Sequence, residues 1–221
     1  MYFWYNYPIK KGGVSNGLLI YTHNQIKLTL HINKMIDEKG CVMRSLFKNI
    51  IAIMTLSTIF ITSANAVYVY RYQQEQTHWC WAASAQMIGH TLGRQVTQTD
   101  IVTQVKGMDI NDGANDTEMK NAVTYATLRN SVLRSSAWPF ASATNELSTG
   151  EPFLIKLTWY KNGEPNGAHA VVASGYNTAS GTLTVVDPWY GCGTKTFDYK
   201  SMITNCKFQS GTGKWTATIY V

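Results

Sequence analysis

The feature that most constrains this chain is a largely apolar, uncharged run at residues 50–61. It is preceded by Arg44 and Lys48 and followed by Ala64-Asn65-Ala66. A run of about 12–14 residues is too short to span a bilayer, which takes roughly 20. A basic start, a short apolar middle and a small-x-small triplet make the pattern of a secretory signal peptide. Residues 43–66 are therefore expected to be removed at the membrane, with Val67 as the mature N-terminus and a secreted or periplasmic product. That leaves 155 of the 221 residues, the size of one ordinary domain.

Residues 1–42 show no clear amphipathic period. Glu38-Lys39-Gly40 must be encoded by a purine-rich stretch just before Met43, as at a bacterial ribosome-binding site. Met43 is thus the expected start, and residues 1–42 an upstream mis-translated extension. Their position also explains the charge. The formal net charge is +6, but residues 1–66 hold seven Lys and Arg against two acids, so residues 67–221 carry only +1. Nucleic-acid binding loses its main support. With 45% hydrophobic and 14% charged residues, a packed core is expected rather than disorder.

The chain from Val67 reads as helices first and strands after. Residues 80–92 (CWAASAQMIGHTL) form a helix candidate with Ala82, Ala83, Met87 and Ile88 on one side. Thr99 or Asp100 can cap a second helix that stops at Gly107; Asn115, Asp116 or Thr117 can cap a third at TEMKNAVTYAT. A short fourth covers residues 141–147. Strands are expected at 152–160, 168–176, 181–187, 195–199 and 214–221, with a hairpin turn at 177–181. This is an α+β class with an antiparallel sheet.

Three features carry chemistry. Cys80 starts the first helix inside Trp79-Cys80-Trp81, His169 starts an apolar strand, and Asp187 ends the next strand in Asp187-Pro188-Trp189. A helix N-terminus and a nearby imidazolium both favour a thiolate. His169 suits the role of base and general acid, and a carboxylate such as Asp187 holds the ring in one tautomer. Acyl transfer also creates an oxyanion, for which a side-chain amide one turn before Cys80, with the Cys80 N–H, is a suitable donor. Glutamines stand at 73, 74 and 76.

Gln74-x5-Cys80-Trp81-Ala82-Ala83, Gly167-Ala168-His169-Ala170-Val171-Val172 with Gly175-Tyr176, and Val186-Asp187-Pro188 together resemble a compact bacterial papain-like cysteine peptidase. The nearest branches are the bacteriocin leader-peptidase-like group and the secreted effector proteases of plant pathogens. The resemblance covers most of residues 68–190. It implies a papain-like fold, with Cys80 as nucleophile, His169 as base, Asp187 as orienting residue and Gln74, at the family's spacing, as oxyanion donor. There are departures. Thr77-His78-Trp79 stands where plant and lysosomal relatives have Cys-Gly-Ser, and Ala168 replaces the usual Gly before the histidine. The 89-residue step from Cys80 to His169 is also shorter than the roughly 130–150 of the papain and cathepsin group.

The expected function is a secreted cysteine peptidase, a hydrolase acting through a thioester acyl-enzyme on a peptide or protein substrate. It would meet the membrane only during export and is read as a monomer without nucleic acid, cofactor or metal. Two alternatives stay open: an amidase or acyltransferase of the same fold acting on peptidoglycan or a host protein, and a non-catalytic secreted binding protein. Trp79, Trp81 and Trp189 are candidates for the substrate cleft. Cys192 and Cys206 are a disulfide candidate in an exported protein, closing a loop of about 15 residues worth roughly 3 kcal/mol. His78 and His90 read as structural or surface residues. The acidic segment GMDINDGAND lacks the terminal Glu of a calcium loop and reads as a solvated turn.

Overall fold

The computed structural model describes residues 64–221. The expected upstream extension and nearly all of the expected signal peptide lie outside them. The Ala64-Asn65-Ala66 triplet falls inside. It forms strand β1 (Ala64–Ala66), antiparallel to the end of β4 (Glu164–Asn177), with Ala66 opposite Gly175.

Helices dominate the first half. Helix α1 (Cys80–Thr91) buries nearly all of its length, including Trp81, Ala82, Ala85, Met87 and Ile88. Helix α2 (Gln98–Lys106) is capped two to three residues before the expected position. Thr97 accepts from the Asp100 N–H, and the Asp100 carboxylate accepts from the Thr97 N–H. That reciprocal pairing satisfies two helix-end donors at once, so Thr97 rather than Thr99 or Asp100 wins the cap. Helix α3 (Asp116–Thr127) is closed the same way by Asn115 and Glu118. Helices α1 and α3 cross at Gly89, where an added Cβ would fall inside the contact radius of the Ala126 carbonyl oxygen. Only glycine allows that approach. A short β2 (Val132–Arg134) and α4 (Phe140–Ser148) lead into the sheet.

The sheet is antiparallel, in the order β2, β8 (Thr212–Tyr220), β3 (Phe153–Lys161), β4, β5 (Thr182–Val186), β6 (Thr194–Asp198). The β4–β5 hairpin was legible from sequence. The residues after β6 were not: Asp198 ends the strand and caps helix α5 (Tyr199–Thr204), which the expected strand at 195–199 overran by one residue. β7 (Cys206–Lys207) pairs with β8.

Alternation along the central strands divides the core. Leu154, Ala170, Val172 and Ile219 pack with α1, α2 and α3. Phe153, Ile155, Leu157, Val171 and Ala173 face the other side, with Trp138, Leu147, Met202 and Trp215. Burying one Leu- or Phe-sized side chain contributes about 1.5–3 kcal/mol, so the first layer holds α1 firmly against β4. That packing fixes where the first residue of α1 meets the sheet.

Candidate active site

The chain reaches Cys80 through a tight, pinned turn. Asn111 accepts from the His78 N–H at 3.0 Å and donates to Thr77 Oγ1 at 2.9 Å. The indole N–H groups of Trp79 and Trp81 donate to the carbonyls of Ile110 and Asp112 at 2.9 and 3.1 Å. Trp79 is thus a buried structural residue and does not line the cleft, contrary to its sequence reading; its ring is spent on holding the 110–112 segment. Trp81 and Trp189 do line it.

The N-terminus of α1 carries no side-chain cap and no acidic residue in its first turn. Its N–H groups and the positive end of its dipole remain for whatever forms at Cys80. The Cys80 thiol lies within hydrogen-bonding reach of the His169 ring. His169 Nε2 is 2.7 Å from Asp187 Oδ1, which leaves Nδ1 for the thiol. Both His169 and Asp187 are buried. Burial alone would depress the imidazolium. The Asp187 carboxylate and Cys80 outweigh it, and the pKa of His169 is raised to about 9. Burial likewise pushes the Asp187 carboxyl up, but His169 and the Trp189 N–H bring its pKa below the usual carboxylate range.

Asp187 is itself held from behind. Arg71 donates through Nε to the Asp187 carbonyl at 2.8 Å and through Nη2 to the Trp189 carbonyl at 2.6 Å. The Gln74 N–H donates to the Pro188 carbonyl at 3.0 Å, and the Trp189 N–H returns to Asp187 Oδ1 at 2.8 Å. Arg71 was not singled out in the sequence, since no local pattern announces a partner 116 residues away.

Gln74 is buried beside this turn. Its Nε2 donates to the carbonyls of Gln76 and Thr77, both at 2.9 Å, while Oε1 has no partner. An amide nitrogen has two hydrogens, and both are engaged with the loop. Cys192 and Cys206 are separate free thiols, so the expected disulfide is absent. Cys192 hydrogen-bonds Gln209 at 3.2 Å, whereas Cys206 is buried in the second core layer. The two side chains serve different surroundings.

A cleft of about 770 Å³ opens over Cys80 and His169. One wall is Asp112, Gly113, Ala114, Asn115 and Glu118, so the acidic segment read as a solvated turn borders the site. There Lys106 bridges Asp112 at 3.3 Å and Glu118 at 2.9 Å. The other wall is Trp159, Gly167, Ala168, Trp189 and Ser210. Trp159, missed in the sequence, stacks on His169 with ring centroids 6.1 Å apart and planes at 25°. Trp189 meets the same ring edge-on at 5.9 Å and 89°.

A thiol at an open helix start, a buried His–Asp pair and an overlying cleft are the parts of a cysteine hydrolase. The family comparison agrees: the model of the Peptidase_C39 like family matches residues 67–218. The chain belongs to that family. It is a cysteine-type peptidase, and the papain-like α+β class expected from its motifs holds. Among solved structures it is similar to a C39-like peptidase from Bacillus anthracis, at 15% identity and a TM-score of 0.52, covering 72% of this chain and 98% of that one. A second similar structure is the peptidase domain of Streptococcus ComA, a bi-functional ABC transporter involved in a quorum-sensing pathway. There the identity is 15% and the TM-score 0.49, over 69% of this chain and 96% of that one. No curated protein matches the chain.

Proposed function

We propose that this C39-like peptidase hydrolyses peptide bonds through a Cys80–His169–Asp187 triad, and that it works outside the cytoplasm after export. The observation that supports the mechanism is the buried His169–Asp187 pair, bonded through Nε2, with Cys80 acting on the same imidazole. With its proton on His169, Cys80 attacks the scissile carbonyl. The Cys80 N–H at the open start of α1 meets the resulting oxyanion. His169 then protonates the leaving amine, which departs and leaves a thioester on Sγ. Water, deprotonated by His169, attacks that thioester, releases the acid and returns the thiol. Asp187 keeps the ring in the productive tautomer throughout. Gln74 would serve the oxyanion by releasing one of its two loop carbonyls. The export reading rests on the sequence pattern before Val67.

The test needs no known substrate. The full-length chain is expressed and the exported product is treated briefly with iodoacetamide at ~pH 5.5, where only an activated thiolate reacts quickly. One adduct on Cys80, lost in His169→Ala, is expected, with intact mass placing the N-terminus at Val67. A folded protein whose Cys80 stays unmodified overturns the triad. A mature mass that retains residues 43–66 overturns the export reading separately.

A further inference from the structure

Trp159 occupies a position that sheet geometry alone does not require. It lies where the β3–β4 register breaks, between Thr158, opposite Ala168, and Tyr160, opposite Pro165. On the β8 side it pairs with Gly213. Its indole rests on glycine backbone. A Cβ at Gly211 would sit 2.9 Å from Trp159 Cε2 and 3.0 Å from Nε1, and one at Gly213 would sit 2.7 Å from Cε3. A Cβ at Gly167 would be 3.5 Å from Cδ1. Glycines from two strands and a loop thus form a seat shaped for this ring. Its ring neighbours are the imidazole of His169, at 6.1 Å and 25°, and the Phe208 ring, at 6.1 Å and 42°.

A side chain confined in this way has little freedom, and it stands beside the imidazole at the cleft with its plane within 25° of the imidazole plane. The groups acting on His169 are Cys80 and Asp187. Both interactions depend on the ring plane, since each nitrogen must point at one partner. Trp189 meets the ring at 89°, so its plane does not run along that of the imidazole. We propose that Trp159 is a positioning residue: seated on Gly167, Gly211 and Gly213, it fixes the plane of His169 and keeps water off the His169–Asp187 hydrogen bond. The proposal rests on the triad reading above.

Two readouts on the full-length exported protein test it. The first is the downfield proton resonance of the His169 Nε2–H, which persists only while its bond to Asp187 is shielded from exchange. The second is the ratio of Cys80 alkylation rates by iodoacetamide at ~pH 5.5 and at ~pH 9.5, in which simple access to the thiol cancels. In Trp159→Ala the resonance is lost and the ratio falls about tenfold, below the roughly 10²-fold that a full 1 Å misplacement can cost. Trp159→Phe restores most of both. Gly211→Ala, which displaces the indole without removing it, gives an intermediate loss and carries the test should Trp159→Ala not fold. If the wild type reacts at Cys80 while Trp159→Ala and Gly211→Ala keep its resonance and ratio, the positioning role is wrong and the triad stands. If the wild type itself does not react, the triad reading fails first.

Discussion

His169 Nε2 and Asp187 Oδ1 stand 2.7 Å apart, with their side chains only 2% and 4% exposed. An imidazolium so placed is stabilised by folding, because its pKa of about 9 lies above the ordinary 6.5. A group whose pKa rises on folding adds stability that is complete below its unfolded pKa and lost as pH climbs through the folded one. The urea midpoint of the wild type should therefore decline between about pH 6.5 and pH 9. Asp187→Asn, which lacks the charge, should show a flatter profile across that window. Matching slopes in the two proteins would show that the pair does not hold the proton.

Arg71 ties the N-terminal segment to the Asp187 turn through two carbonyls. Charge-assisted hydrogen bonds of this kind contribute about 1.5–3 kcal/mol each, less where they are part-exposed. Arg71→Ala should cost about 2–3 kcal/mol in urea melts and lower the Cys80 alkylation rate by releasing Asp187. Arg71→Lys should recover little, since an ammonium cannot span two carbonyls as a guanidinium fork does. Full recovery by lysine would reduce Arg71 to a point charge.

Gln74 couples the proposed oxyanion site to the loop that leads to Cys80. Gln74→Ala takes its amide donor from the Thr77 carbonyl and from the Gln76 carbonyl, which keeps only the Trp79 N–H, so the unfolding midpoint should fall. Once a peptide substrate is in hand, kcat should also fall about 10²–10³-fold with KM little changed, as expected when an oxyanion donor is lost. A stability loss with unchanged kcat would confine Gln74 to shaping the loop.

How much of this was legible in the sequence varies with the physics. Asn115 and Gly107 were readable because capping is local. His169, expected to start its strand, lies inside β4, which begins at Glu164, whereas Cys80 at a helix start and Asp187 just after a strand were readable because each sits at an element boundary with a characteristic neighbour. Trp159 was not, because its role is set by glycines at 167, 211 and 213 that only the folded sheet assembles. Trp79 was misplaced because a tryptophan beside a nucleophile suggests a cleft wall, whereas its N–H is committed to Ile110. The Cys192–Cys206 pairing followed from count and spacing. Neither reports that one thiol faces the core and the other a glutamine.

The three thiols of residues 64–221 should therefore react in a fixed order. Cys80 comes first, already in mild acid, if His169 holds its proton. Cys192 comes next. Burial and the nearby Asp187 raise its pKa, so it should react only at alkaline pH. Cys206 comes last: burial pushes its pKa to about 11, and it is enclosed against β8, so it should react only after unfolding. Stepwise alkylation with peptide mapping reads this order directly. The same experiment in denaturant without reductant should label all three. Labelling of Cys80 alone in that experiment would mean that Cys192 and Cys206 are joined in the exported protein, and that the 192–206 segment rearranges to join them.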